Sequence, residues 1–427
     1  KGRNFCRQSL KADKMASIMA SWKKVLFIMA IIGPGIITAT VNNEAGGITT
    51  YSMAGANFGY SLLWTLIPIT FLLVIVQEMV ARTGAVTGKG LADIIRESFG
   101  IKLTFFIMIG VVFANLFVTI SEFAGIAAAG ELFGISKYIL VPLTAFFVWF
   151  SIVKLNYKLL EKFFFGIALF YVAYVISGFM VKPQWGYILG QLVTPQIQFS
   201  KGYLFLLIAS IGTAITPWMQ FYLQSSIVEK GIRKEEYKYS RWDIIIGSVT
   251  MVIVSFFIIV TAASVLFENG IRIENAIDAA RALEPLAGQY ASLLFAIGFF
   301  GASLFGAFII PISTSFYVCE AFGWESGVNK KFKNAKSFYL LLLFMIIISA
   351  IAVLIPNIHL FNVIIFAQVV NGIILPVILI IILKIANDKK LMGDYSNKRW
   401  MNIAAWIGCG LVILASVALL AASFMGR

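Results

Sequence analysis

Two stretches decide how this chain is built. The first runs Ile32-Gly33-Pro34-Gly35-Ile36 and on to Val41-Asn42-Asn43-Glu44-Ala45-Gly46-Gly47. The second reads Ser210-Ile211-Gly212-Thr213-Ala214-Ile215-Thr216-Pro217-Trp218-Met219-Gln220. Each lies inside an otherwise apolar run, where paired glycines, amides, an acid or a proline are poor helix material. In the second the consequence is specific. Pro217 has no N–H, so the carbonyl of Thr213 loses its helical partner. A free carbonyl in lipid is costly, and it must face a ligand, water or another part of the chain.

The setting is a membrane. Of 427 residues, 60% are apolar and 13% charged, against about 45–50% and 25% in soluble domains. That composition excludes disorder and a soluble core. Eleven spans are expected, at about 25–55, 60–82, 101–130, 137–156, 161–181, 202–228, 242–267, 287–318, 337–356, 361–385 and 401–424. Each suits a hydrocarbon layer of roughly 30 Å. With the N-terminus cytoplasmic, 28 of the 34 Lys and Arg residues fall on the inner side and six outside. The net charge of +14 therefore reflects topology and anionic lipid rather than nucleic acid. The basic start before Val25–Val41 imitates a secretory leader, but it has no small-residue cleavage site and reads as the approach to span 1.

The interruptions fall in spans 1 and 6, which open two five-helix halves. Gly/Pro-interrupted helices at corresponding positions predict an inverted-repeat transporter with its substrate held at midplane. The expected organisation is a basic cytoplasmic segment over 1–24 and one transmembrane domain over 25–427. Within it lie a first repeat (25–181), a second (202–385) and an extra helix (401–424), with Arg427 outside. Three dispersed cysteines and one histidine, His359, give no disulfide framework or zinc cluster. With no nucleophile–base pair evident, an enzyme is not expected.

Gly33-Pro34-Gly35, Ala54-Gly55-Ala56-Asn57-Phe58-Gly59-Tyr60-Ser61-Leu62-Leu63-Trp64, Thr87-Gly88-Lys89-Gly90-Leu91-Ala92, Leu294-Phe295-Ala296-Ile297-Gly298, Gln368-Val369-Val370, Leu375-Pro376 and Leu391-Met392-Gly393 closely resemble the NRAMP family of divalent metal-ion transporters. The resemblance covers nearly the whole chain. It implies an all-α, LeuT-like bundle of eleven helices, related as 1–5 and 6–10, with helices 1 and 6 broken at midplane. The departures fall on the chemistry. Where the family carries Asp-Pro-Gly-Asn, this chain has Glu44-Ala45-Gly46-Gly47, and its Met-Pro-His becomes Thr216-Pro217-Trp218. The family's Asp-x-x-Glu of span 3 reads Thr119-Ile120-Ser121-Glu122, and Gln224 stands where a second His is usual. A thioether favours soft ions, whereas a hydroxyl leaves an all-oxygen site suited to hard ones. The site's logic is thus similar to that of the divergent NRAMP-related branch that transports magnesium.

Glu44 is the strongest candidate ligand. A carboxylate at mid-membrane costs about 2.5–3.5 kcal/mol even on insertion scales, and no Lys or Arg lies between Lys24 and Arg82. Asn43, the Gly47 carbonyl, the Thr213 carbonyl, the Thr216 hydroxyl, Gln368 and Asn371 are the further candidates. Gln220, Met219 and Tyr222 are expected to line the site, with Met219 or Trp218 at the family's His position. The resemblance makes Glu122 a proton-pathway acid, although without the usual His and Asp little proton coupling is expected. Glu78 and Arg82, spaced i, i+4, read as a solvated pair at a helix end. Mg²⁺ or Mn²⁺ is the expected cargo. No cofactor, nucleic acid or obligate protein partner is expected, and membrane lipid is the expected surrounding.

Overall fold

The computed structural model describes residues 43–154, 170–328 and 330–424, so Gly33-Pro34-Gly35 and the first parts of spans 1 and 5 lie outside the described residues. The architecture is all-helical, as expected. Helix α1 (Ala45–Phe58) is followed by α2 (Leu66–Thr87), α3 (Leu91–Leu132), α4 (Lys137–Lys154) and α5 (Phe170–Met180). Next come α6 (Trp185–Val193), α7 (Lys201–Ala214), α8 (Pro217–Glu229) and α9 (Tyr237–Ala262). The chain ends with α10 (Ala291–Phe322), α11 (Lys336–Val353), α12 (Leu360–Asn387) and α13 (Arg399–Phe424).

Among the described residues, nine helical segments are long and apolar enough to cross a membrane, with α7 and α8 counted as one. They coincide with the nine expected spans other than 25–55 and 161–181, which are described only in their later parts. Long apolar side chains such as Phe71, Phe106, Ile139 and Leu414 stay exposed on the outside of the bundle. That is what a lipid-facing surface requires, and it is unlike the surface of a soluble monomer.

Local sequence sets the helix ends. Gly100 takes φ +79° and separates an interfacial turn from the membrane-spanning part of α3. Gly59, at φ +56°, ends α1 with its N–H on the Gly55 carbonyl. Pro217 begins α8, where its missing N–H is harmless and its fixed φ already suits a helix. The residue before it, Thr216, is extended (φ −72°, ψ 142°), as the proline ring demands. The amphipathic α6 and the short helical turns over 276–290 were not legible from hydropathy.

The bundle closes through small residues. A Cβ on Gly125 of α3 would strike Ser303 of α10 and the Ala45 Cβ, and one on Gly212 of α7 would enter the backbone of α12 at Gln368 and Gly372. Without a hydrophobic drive between helices in lipid, such backbone approach supplies the dispersion contact that holds them.

One expectation fails here. Glu78 and Arg82 are not solvated but buried among three segments. Arg82 Nη2 donates to Glu78 Oε2 at 3.1 Å and to Asn397 Oδ1 at 2.5 Å, and Nη1 donates to the Tyr395 carbonyl. The Tyr237 hydroxyl donates to Glu78 Oε1. The cluster ties α2 to α9 and to the connector between α12 and α13. Removing one partner strands a buried charge, at about 3–5 kcal/mol. Arg82→Ala is therefore expected to lower the melting temperature in detergent sharply, and Arg82→Lys to recover part of it for want of the guanidinium fork. An Arg82→Ala protein that melts with the parent would show the cluster to be incidental.

Candidate functional site

The site begins at the start of α1 and at the interruption of the sixth span. Glu44 is the N-cap of α1, in a non-helical conformation (φ −58°, ψ −172°), and its carbonyl accepts the Ile48 N–H at 3.0 Å. In the sixth span the helix stops at Ala214 and restarts at Pro217. Thr213 therefore has no N–H four residues on to fill its carbonyl.

Gln368, on α12, bridges the two. A Cβ on Gly46 would collide with the Gln368 amide, while the Gln368 backbone lies against Gly212, one residue before Thr213. Only glycine at these two places lets α12 touch the start of α1 and the end of α7 at once. Asn371 Nδ2 donates to Gln368 Oε1 at 3.4 Å, confirming the shared face expected from their i, i+3 spacing.

The polar atoms here are deeply buried and short of partners. Glu44 is 1% exposed. Among the described residues, no hydrogen bond reaches Glu44 Oε2, Thr213 Oγ1, Thr216 Oγ1, Gln220 Oε1, Gln368 Nε2 or Asn371 Oδ1. No ion pair involves Glu44 among them. Neither threonine bonds back along its helix, the ordinary fate of a buried threonine, and Thr216 caps α8 without a side-chain bond. Gln220 Nε2 points back to the Thr216 carbonyl at 3.4 Å, leaving its oxygen open. A half-turn of the Gln368 amide would present its oxygen instead of its nitrogen over Gly46. The set is rich in oxygen and holds one acid. No group of three or more His, Cys, Asp or Glu stands together among the described residues, and His359 is exposed on a connector.

Glu122 adjoins this set from α3. Its Oε2 accepts the Ala45 N–H at 3.4 Å and its Oε1 the Ser121 hydroxyl at 3.2 Å. Gly306 of α10 gives it room, since a Cβ there would overlap the carboxyl. Its carboxylate thus meets the backbone of the residue that follows Glu44.

Several expected ligands are engaged elsewhere. Gly47 is the third residue of α1, so its carbonyl faces the helical donor of residue 51 and is not freed. The expected break through the paired glycines thus ends at Glu44, and both glycines are helical. Asn43 is turned toward α9: Nδ2 donates to the Met251 carbonyl at 3.5 Å, and Oδ1 accepts from Ser255 at 3.3 Å. Its own carbonyl accepts the Tyr171 hydroxyl at 2.7 Å. Met219 Sδ accepts from Gln77 Nε2 at 3.2 Å, and Gln77 Oε1 accepts from Ser248 at 3.2 Å. The thioether is thereby held against α2 and α9. Trp218 is fully buried and packs at a tilt on Tyr222, ring centroids 6.2 Å apart. Gln224 donates to the Lys89 carbonyl at 2.9 Å. Sequence reasoning missed Tyr171, Ser255 and Gln77; of these only Ser255 is a single polar residue in an apolar run, the one such signal among the three.

The helical bundle with its interrupted sixth span has a LeuT-like architecture, with side-chain oxygens that lack partners among the described residues beside the interruption. The sequence profile of the Natural resistance-associated macrophage protein-like family matches residues 35–422. The chain belongs to this Nramp family. It is 26% identical over 406 residues to the divalent metal cation transporter MntH of Klebsiella pneumoniae (strain 342), covering 93% of this chain and 95% of that protein. The Eremococcus coleocola manganese transporter, solved with an aromatic bis-isothiourea substituted compound, superposes with TM-score 0.75 at 22% identity, over 93% of this chain and 86% of that one. MhsT in complex with L-phenylalanine shares the fold more distantly, with TM-score 0.59 at 13% identity over 92% and 97% of the two chains.

The contact between Gly46 and Gln368 is directly testable. Gly46→Ala pushes the amide off the start of α1 and is expected to cut metal uptake by at least tenfold while the protein still elutes as a single species. Uptake at the parental rate would separate Gln368 from the site.

Proposed function

We propose that this protein is a multi-pass cell-membrane transporter of divalent metal cations that works by alternating access and is not an enzyme. The observation that carries the reading is the buried Glu44 oxygen without a partner, at the start of a helix and beside the second interruption. A cation is the occupant such a set favours: one carboxylate, the Thr213 carbonyl, the hydroxyls of Thr213 and Thr216, the amide oxygen of Gln220, and one amide oxygen of the bonded pair Asn371 and Gln368, that of Asn371 as the pair stands or that of Gln368 with both amides turned over. Family membership and the description of MntH as a divalent metal cation transporter support it. One acid plus neutral oxygens also suits a cargo that must leave again, because binding strong enough to enter must stay weak enough to release.

For the particular ion we propose Mg²⁺, with Mn²⁺ also carried. Thr216 replaces the family's thioether, and Met219, the nearest sulfur in sequence, is bound by Gln77. Hard oxygen donors suit Mg²⁺, which keeps part of its water shell. Tight proton coupling is not part of this reading. Thr119 stands in place of an acid, Glu122 is tied to Ala45 and Ser121, and the sole histidine is remote. We further propose that the basic N-terminal segment (1–24) is cytoplasmic and precedes repeats 25–181 and 202–385, with helix 401–424 ending outside. That orientation places the Arg82 cluster on the inner side, where most of the lysines and arginines fall.

A proton-coupled Mn²⁺ or Fe²⁺ carrier, a same-fold carrier of an organic solute and a transport-dead sensor are the rivals. Uptake into proteoliposomes with competing ions decides among them. The parent is expected to accumulate Mg²⁺ and Mn²⁺ whether or not a pH gradient is imposed, and Glu44→Ala to reduce uptake to the empty-vesicle level. In the same assay Thr216→Met is expected to shift competition toward Mn²⁺ and Cd²⁺ by about tenfold, the softer donor favouring the softer ions. Uptake that survives Glu44→Ala, or selectivity unmoved by Thr216→Met, would contradict the reading.

A further inference from the structure

We infer that Tyr171 and Ser255 are positioning residues for the metal site, and that Asn43 is the strut through which they act on Glu44. The inference rests on the reading of Glu44 as the ion-binding carboxylate.

Glu44 sits where the chain has no helical ladder to hold it. Its φ and ψ are non-helical and it makes no side-chain cap bond, so the helix it opens does not fix where its carboxylate points. The direction is set by the residue before it. Asn43 is held at three groups: its carbonyl, its amide oxygen and its amide nitrogen. Its carbonyl takes the Tyr171 hydroxyl of α5 at 2.7 Å, across 128 positions of sequence. Its amide oxygen lies 3.3 Å from the Ser255 hydroxyl of α9, which shares its proton with the Met251 carbonyl one turn earlier at 3.0 Å, and the Asn43 amide nitrogen donates to that same carbonyl at 3.5 Å.

An asparagine so engaged has little left to offer an ion. What it can do is pin a peptide plane. With the Asn43 carbonyl fixed from one side and its side chain from another, the Asn43–Glu44 peptide cannot rotate without breaking a buried bond. The Glu44 backbone is held on its other side as well, since the next N–H, that of Ala45, is taken by Glu122 at 3.4 Å. The junction is thus clamped by α5, α9 and α3, while Glu44 Oε2 has no hydrogen-bond partner among the described residues. Preorganisation of this kind lowers the cost of ordering the ligand when an ion arrives.

Tyr171→Phe removes one hydroxyl and leaves the ring packing of α5 in place, including the contact with Phe170. In proteoliposomes it is expected to raise the KM for Mn²⁺ about fivefold, in keeping with one buried hydrogen bond. The maximal rate stays within about twofold and the melting temperature within a few degrees. Ser255→Ala is expected to move KM in the same direction. Tyr174→Phe, which deletes the same hydroxyl one turn along the same helix, is the control and is expected to keep the parental KM. A parental KM in both Tyr171→Phe and Ser255→Ala would overturn the inference. So would an equal loss in Tyr174→Phe, which would mark a general packing effect. Glu44→Ala in the same assay separates the two levels. If it still transports, the reading of the site fails; if it is inactive while Tyr171→Phe binds as the parent does, only the positioning role fails.

Discussion

A carboxylate buried in a hydrocarbon layer, with no cation of the described protein beside it, is the constraint around which this bundle is organised. Glu44 is 1% exposed, and one of its oxygens has no partner among the described residues. Inserting such a group costs free energy that ordinary packing does not return. Its surroundings explain why it is nevertheless retained. The chain is non-helical at that residue, and the sixth span is unwound at Ile215 and Thr216. The polar groups freed at both places gather with amides from α12 instead of being capped.

Close helix approach makes that gathering possible. Gly46 lets the Gln368 side chain lie on the first turn of α1, and Gly212 lets the Gln368 backbone meet α7 just before its end. Gly306 similarly admits Glu122 from α3. Each contact joins a helix to a site-bearing segment at a point where any side chain on the glycine would hold them apart. The same economy explains why α1 tolerates adjacent glycines in its first turn: Gly46 makes room, at a modest cost in helix propensity.

Much of this was legible in the chain itself. Apolar runs gave most of the described spans to within about six residues, α3 starting earlier at Leu91, because span length is set by the thickness of the hydrocarbon. Pro217 gave the second break to the residue, because a missing N–H has only one consequence for the carbonyl four positions back. Glu44 stood out because no nearby cation could balance it. The rest depended on partners far away in sequence. Glu78 and Arg82 read as a surface pair because their other partners, Tyr237, Tyr395 and Asn397, lie 159 to 315 positions distant. Asn43 read as a ligand because its type fits one, and only the placement of α5 and α9 shows that its groups are already used. Gly47 read as part of the break because glycine weakens a helix; the neighbouring contact with Gln368 shows why the helix forms there regardless.

The account's central claim is that a divalent cation sits against Glu44 between the two interruptions. The most direct measurement is anomalous scattering from a crystal of the full chain soaked with Mn²⁺. A single anomalous peak is expected within coordination distance of the Glu44 carboxylate and of oxygen donors from the Thr213–Thr216 break. An ordered lattice with no peak there, or with that space filled by a lysine, an arginine or packed apolar side chains, would contradict the account.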